Sequence, residues 1–153
     1  MTFFVITFST GMDSIKPPKY FKLPYLNYVM TNYKKGRRFE YRVCEVFREY
    51  GFEAVRKAGS SPYDISVMKD GRVLFLVDAK KTSQKKCIYV SKSDIEKIVR
   101  EADAVGAEPL IIYGFRYSPV FVSFPREFLK TEGSAKLEGG LKLKDFLESF
   151  VKL

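Results

Sequence analysis

From Ile65 to Lys80 the chain reads ISVMKDGRVLFLVDAK, and this stretch restricts the possible folds more than any other. Asp70-Gly71 between two apolar runs is a strong hairpin signal. Leu74 to Val77 form a continuous apolar run, typical of a strand covered on both faces. Yet the run ends in Asp78, with Lys80 two positions further on. Strand side chains alternate, so Asp78 and Lys80 leave one face while Val77 and Ala79 leave the other. A core would place Val or Ile there, so the polar residues need a chemical reason.

Register decides whether Asp64 joins them. A hairpin that pairs Lys69 with Val73 sets Asp64 directly across from Asp78. A two-residue loop that pairs Lys69 with Arg72 sends Asp64 to the opposite face. A functional cluster therefore requires an odd-length loop or a β-bulge. Two converging carboxylates are hard oxygen ligands suited to Mg²⁺, with Mn²⁺ as a substitute, and they leave places for water and a phosphate oxygen. A lysine beside them can orient or deprotonate the water, or stabilise charge on the phosphorus oxygens. The bland reading makes the acids strand-end residues and Lys80 their solvated partner.

Charge favours the chemical reading. Lys and Arg number 27 against 18 Asp and Glu, a net charge of +9, which points to a polyanionic partner: nucleic acid or an anionic membrane surface. The chain has no histidine, which removes histidine-based triads, nucleases that use a histidine base and His-ligated zinc. Cys44 and Cys87 are isolated, so neither a zinc ribbon nor a disulfide framework is expected, and the compartment reads as reducing.

With 153 residues the chain reads as one domain carrying an unlike beginning. Residues 1–29 are an extension of unknown role, a mis-called start or an accessory strand. Thr2 to Ser9 is too short an apolar run to span a bilayer and lacks the features of a secretory leader. Pro17, Pro18 and Pro24 interrupt the aromatic stretch after it. The domain proper is residues 30–153. Phe39, Val43, Val46, Phe47 and Tyr50 recur at helical spacing, with Gly51 as the stop. Strands are expected at Phe52–Lys57, on either side of Asp70-Gly71, and at Cys87–Val90, Pro109–Phe115 and Val120–Phe124. Ser93 and Glu96 read as a capping box for a helix carrying Ile95, Ile98, Val99, Ala102 and Val105, ended by Gly106. Leu143–Val151 suits a last helix. This order predicts an α/β fold: a mixed central β-sheet flanked by helices. Glu40 stands at the edge of the first helix's buried stripe, either as a third acid or as a surface ion paired with Arg37, Arg38 or Arg42.

Several linked segments resemble the archaeal Holliday junction resolvases, whose restriction-endonuclease-like fold belongs to the PD-(D/E)xK superfamily. They are Lys35-Gly36, Phe39-Glu40, Gly51 to Ser60, Asp64, Asp78 to Lys80, Ile88 to Ile98 and Gly106 to Arg116. The similarity covers about residues 34–130, in the family's order. It implies a homodimeric, Mg²⁺-dependent endonuclease that cuts four-way junction DNA, located in the cytoplasm with the nucleoid and independent of membranes. It implies metal ligation by Glu40, Asp64 and Asp78, a catalytic Lys80, and a Ser60 beside the active site. The chain has Asp78 where the family usually has glutamate, and Tyr63 separates Pro62 from Asp64. Lys34, Lys35, Arg37, Arg38, Arg56, Lys57, Lys81, Lys85 and Lys86 are the candidate DNA contacts. Such residues grip phosphates without reading sequence. The rival readings are a related nuclease acting on duplex or flapped DNA, and a junction-binding paralogue without activity.

Overall fold

The computed structural model describes the backbone of residues 23–83 and 87–151, and the side chains of residues 36–83 and 87–150. Helix α1 spans Leu23–Glu49. Its first turn contains Pro24, a residue that the sequence suggests as an interruption; proline is tolerated there because first-turn N–H groups have no intrahelical acceptor. Residues 1–22 lie outside the described region. The chain divides after Arg38 into two units, and the second, from Phe39 onward, contains all the described strands.

Five strands form the main sheet: β1 (Glu53–Arg56), β2 (Ile65–Lys69), β3 (Arg72–Lys81), β5 (Glu108–Gly114) and β6 (Val120–Ser123), side by side in that order. β3 and β5 run parallel, and the other neighbours are antiparallel. This is the mixed sheet that the element order predicts. The strand at Ile88–Val90, β4, leaves that sheet and pairs with β7 (Ala135–Leu137). Helix α2 spans Lys92–Val105 and connects β4 to β5; helix α3 (Leu143–Val151) closes the described chain.

The β2–β3 hairpin settles the register question through a bulge. Lys69 pairs with Arg72, so the loop has two residues, and Asp70 and Gly71 take φ of 53° and 77°. Both values are left-handed, as a primed turn requires; glycine adopts this backbone at no steric cost. Taken alone, this loop would send Asp64 to the wrong face. The register then shifts, with Met68 opposite Val73 but Val67 opposite Phe75, so Leu74 is the extra residue. Beyond the bulge Ile65 faces Val77, and continuing the ladder brings Asp64 opposite Asp78.

Apolar clusters hold the sheet from both sides. Phe39, Val43 and Phe47 of α1 pack with Val77, Leu110 and Ile112 of the sheet and with Leu143 and Leu147 of α3. Phe75 lies at the middle of this layer, with the rings of Phe47, Phe52, Phe146 and Phe150 all about 6 Å away by centroid (5.8–6.3 Å). Burying one such side chain stabilises the fold by about 1.5–3 kcal/mol. Gly114 makes room for Phe39 of α1, since a Cβ there would lie 3.2 Å from the Phe39 ring. On the opposite face, Ile98, Val99 and Ala102 of α2 cover Leu76.

Two details of α2 depart from the sequence reading. Its N-cap is Ser91, whose hydroxyl accepts from the Asp94 N–H, not Ser93. Val105, placed on the buried stripe, is exposed at the helix end. Gly106, with φ of 70°, ends α2 as expected.

Candidate active site

Strand β3 remains inside the sheet as far as Lys81, because β5 runs beside it to the end: Asp78 is level with Ile111 and Lys80 with Tyr113. Asp78 and Lys80 therefore emerge just beyond the end of the β2 ladder, where β3 is still held by β5, on the face that α2 covers. Asp64 comes from the other arm of the hairpin and is fixed at three points. Its N–H donates to the Val77 carbonyl (2.9 Å), and its own carbonyl accepts from the Lys57 N–H (2.8 Å). One carboxylate oxygen, Oδ2, accepts from the Ala79 N–H at 2.8 Å. That last bond ties the Asp64 side chain to the strand that carries Asp78 and Lys80.

The electrostatics follow from this crowding. Burial pushes the Asp78 carboxyl up to about 7; the Lys80 ammonium opposes the shift, while repulsion from Asp64 and a hydrogen bond to it add to it. Lys80 Nζ lies 3.4 Å from Asp78 Oδ2 and 3.2 Å from Asp94 Oδ2. Burial alone would lower the Lys80 pKa, but attraction to Asp78 and then Asp94 outweighs it, and the net shift is upward. A lysine so placed stays an ammonium.

Two facing carboxyls, one of them titrating near neutrality, form a crowded pair of oxygen donors. A divalent cation fits that pair: its hard oxygen ligands are present, and its charge would allow both acids to ionise. Asp64 and Asp78 would hold it. The third expected ligand, Glu40, is placed differently. Its Oε2 accepts from Arg56 Nε at 2.7 Å, with both side chains more than four-fifths buried. Glu40 belongs to α1, which packs on the Val77 face, whereas Asp78 emerges on the other. Among the described residues no group of three or more Asp, Glu, Cys or His is arranged to hold a metal. The structure thus assembles the Asp64–Asp78 pair and ion-pairs Glu40 with Arg56.

The remaining candidates are scattered. Ser60 is exposed in the β1–β2 loop, next to Gly59. Lys57 lies over the Tyr63 ring at 5.9 Å and Lys81 over Phe39 at 5.7 Å, both with exposed side chains. Arg56, expected to contact DNA, is ion-paired and stacked on Tyr41. Arg37 and Arg38 are exposed on α1. Lys85, Lys86 and the side chains of Lys34 and Lys35 lie outside the described residues. Asp94 is a site neighbour that sequence reasoning misses altogether. Its only sequence signal is an acid in the first turn of a helix, a position that the helix dipole favours in any protein. Cys44 is buried and Cys87 partly so, both as free thiols.

A family model described as archaeal Holliday junction resolvase (Hjc) matches residues 31–152. Among characterised proteins, the crossover junction endodeoxyribonuclease Hjc of Methanocaldococcus jannaschii is 32% identical over 91 residues, 60% of this chain and 67% of that one. Among solved structures, Archaeoglobus fulgidus Hjc, a Holliday junction resolvase from an archaeal hyperthermophile, aligns with a TM-score of 0.64. That alignment covers 74% of this chain and 96% of the other at 23% identity, a likeness of fold.

The raised Asp78 pKa has a thermodynamic consequence in metal-free protein. The unfolded chain releases this proton near pH 4 and the folded one near 7. The group therefore subtracts stability progressively as pH rises through that window. Asp78→Asn removes the penalty, so in EDTA the variant is expected to melt above wild type at pH 7.5, with the gap closing toward pH 4. Thermal melts across the pH series check this; a gap independent of pH would contradict it.

Proposed function

The chain belongs to the archaeal Holliday junction resolvase family, and on that premise we propose that it is a Mg²⁺-dependent endonuclease that resolves four-way DNA junctions at Asp64, Asp78 and Lys80. One observation carries the assignment of the site. A hairpin bulge brings two carboxyls face to face at the end of a buried strand, with an ammonium 3.4 Å from one of them. A fold seeking only stability would not bury acids this way.

Bound between Asp64 and Asp78, Mg²⁺ would supply charge neutralisation and a more acidic water. The protein's own residues do the rest. Asp64, fixed by Ala79 N–H, and Asp78, fixed by the sheet, hold their oxygens in place before substrate arrives, so little reorganisation is needed. Lys80 offers an ammonium, not a free base, because its acidic neighbours keep its proton on. Of the roles open to that lysine, stabilising the negative charge that builds on the phosphorus oxygens, or orienting the attacking water, suits it better than deprotonation. Glu40 acts through its ion pair with Arg56, at the end of β1, and Ser60 lines the loop that leads to Asp64.

The exposed cations Arg37, Arg38, Lys57 and Lys81, with Lys34, Lys35, Lys85 and Lys86, supply phosphate contacts. A four-way junction presents two equivalent strands to cut, and a homodimer places one site at each.

Three measurements test this reading. Asp64→Asn and Lys80→Ala are each expected to slow junction cleavage by ~10²–10³ while leaving junction binding in Ca²⁺ largely intact. Linear duplex should resist wild-type enzyme. Cutting at wild-type rate by either variant would remove the site assignment, and equal cutting of linear DNA would point to a less selective nuclease. Light scattering at micromolar concentration should return a dimer mass, and a monomer that persists with junction added would exclude the two-fold arrangement. The Lys85→Ala, Lys86→Ala double variant should make the slope of log affinity against log salt shallower by roughly 2. An unchanged slope would reduce that run to a solvated face.

A further inference from the structure

Lys80 has two acidic neighbours, and the proposed mechanism uses only one. Asp94 Oδ2 lies 3.2 Å from the ammonium, marginally nearer than Asp78 Oδ2 at 3.4 Å. Its placement is determined by surrounding structure. Ser91 provides the helix cap through its own hydroxyl, so the Asp94 carboxylate is not needed for capping. The next residue, Ile95, is buried and anchors the first turn of α2. The first turn of a helix also favours a negative charge. A carboxylate in a stable position thus reaches across from α2 to the end of β3.

The chemistry turns on competition for Asp78. A lysine whose nearest acid is a metal ligand forms an ion pair with that ligand and opposes loading of the cation. A second carboxylate on the far side of the ammonium weakens that pairing and fixes the amine where it can meet substrate. Building on the proposed nuclease site, we propose that Asp94 is a positioning residue. It holds Lys80 away from full pairing with Asp78, so that the Asp78 carboxylate is available to the divalent ion and the ammonium to the scissile phosphate.

Asp94 is nearly half exposed, its side chain retaining 43% of full accessibility, and asparagine matches its shape, so Asp94→Asn keeps the fold. Outer partners of metal sites typically change affinity or rate 10–100-fold. Asp94→Asn should therefore slow single-turnover junction cleavage about 10–100-fold, with junction affinity in Ca²⁺ unchanged or tighter. Asp94→Glu, which keeps the charge, should recover part of the rate. On a Lys80→Ala background the same substitution should cost nothing more, because its effect passes through the lysine. Calorimetry of DNA-free protein gives a readout apart from cleavage: Mn²⁺ should bind about 10-fold more weakly to Asp94→Asn than to wild type, and equally to Lys80→Ala with or without the second change. Equal slowing in both backgrounds, or unaltered rate and Mn²⁺ affinity in Asp94→Asn, would overturn the proposal. If wild-type protein cut no junction, the functional reading would fail, and the Mn²⁺ isotherms would still decide the role of Asp94.

Discussion

Asp64 and Asp78 face each other across the end of the β2–β3 hairpin, and two carboxylates placed so closely cannot both ionise without positive charge beside them. Much of the local structure answers that conflict. The Asp78 carboxyl is pushed up to about 7, Lys80 approaches from one side, and the Ala79 N–H supplies a fixed dipole to Asp64. On the proposed reading, a divalent cation held by Asp64 and Asp78 would let both acids ionise.

Strain and packing elsewhere keep this arrangement fixed. The left-handed turn at Asp70-Gly71 sets a two-residue loop, and the bulge at Leu74 then adds the single residue that swaps the faces. β5 is buried from Pro109 to Gly114, and it holds β3 straight through Asp78 and Lys80. The absence of a side chain at Gly114 lets α1 settle onto the sheet. The opposite face is braced by α2 through Leu76, and that same helix carries Asp94 to Lys80.

What could be read in the sequence was whatever has a short period. The hairpin, the α1 and α2 stripes and the glycine stops follow from spacing alone, and alternation placed Asp78 with Lys80. The requirement for an odd loop or a bulge was also legible, although not which of them the chain uses. Features that depend on distant partners were not. β7 is three residues with a lysine at its centre, and it becomes a strand only because Ile88–Val90 lies alongside. Asp94 looked like ordinary helix-start chemistry, since nothing local shows that Lys80 is folded against it. Glu40 and Arg56 are sixteen positions apart and meet only when α1 docks beside β1.

The sheet's two borders differ in what they offer to another chain. Beside β6, Val122 N–H donates to the Leu141 carbonyl and Phe121 bridges to Lys142, so a returning segment already uses part of that border's hydrogen-bonding capacity. β1 forms the other border. It is four residues long, with Glu53 and Arg56 at its ends. Short, charged margins are poor templates for strand addition. Neither border thus offers a long free edge for pairing with a second copy of the chain.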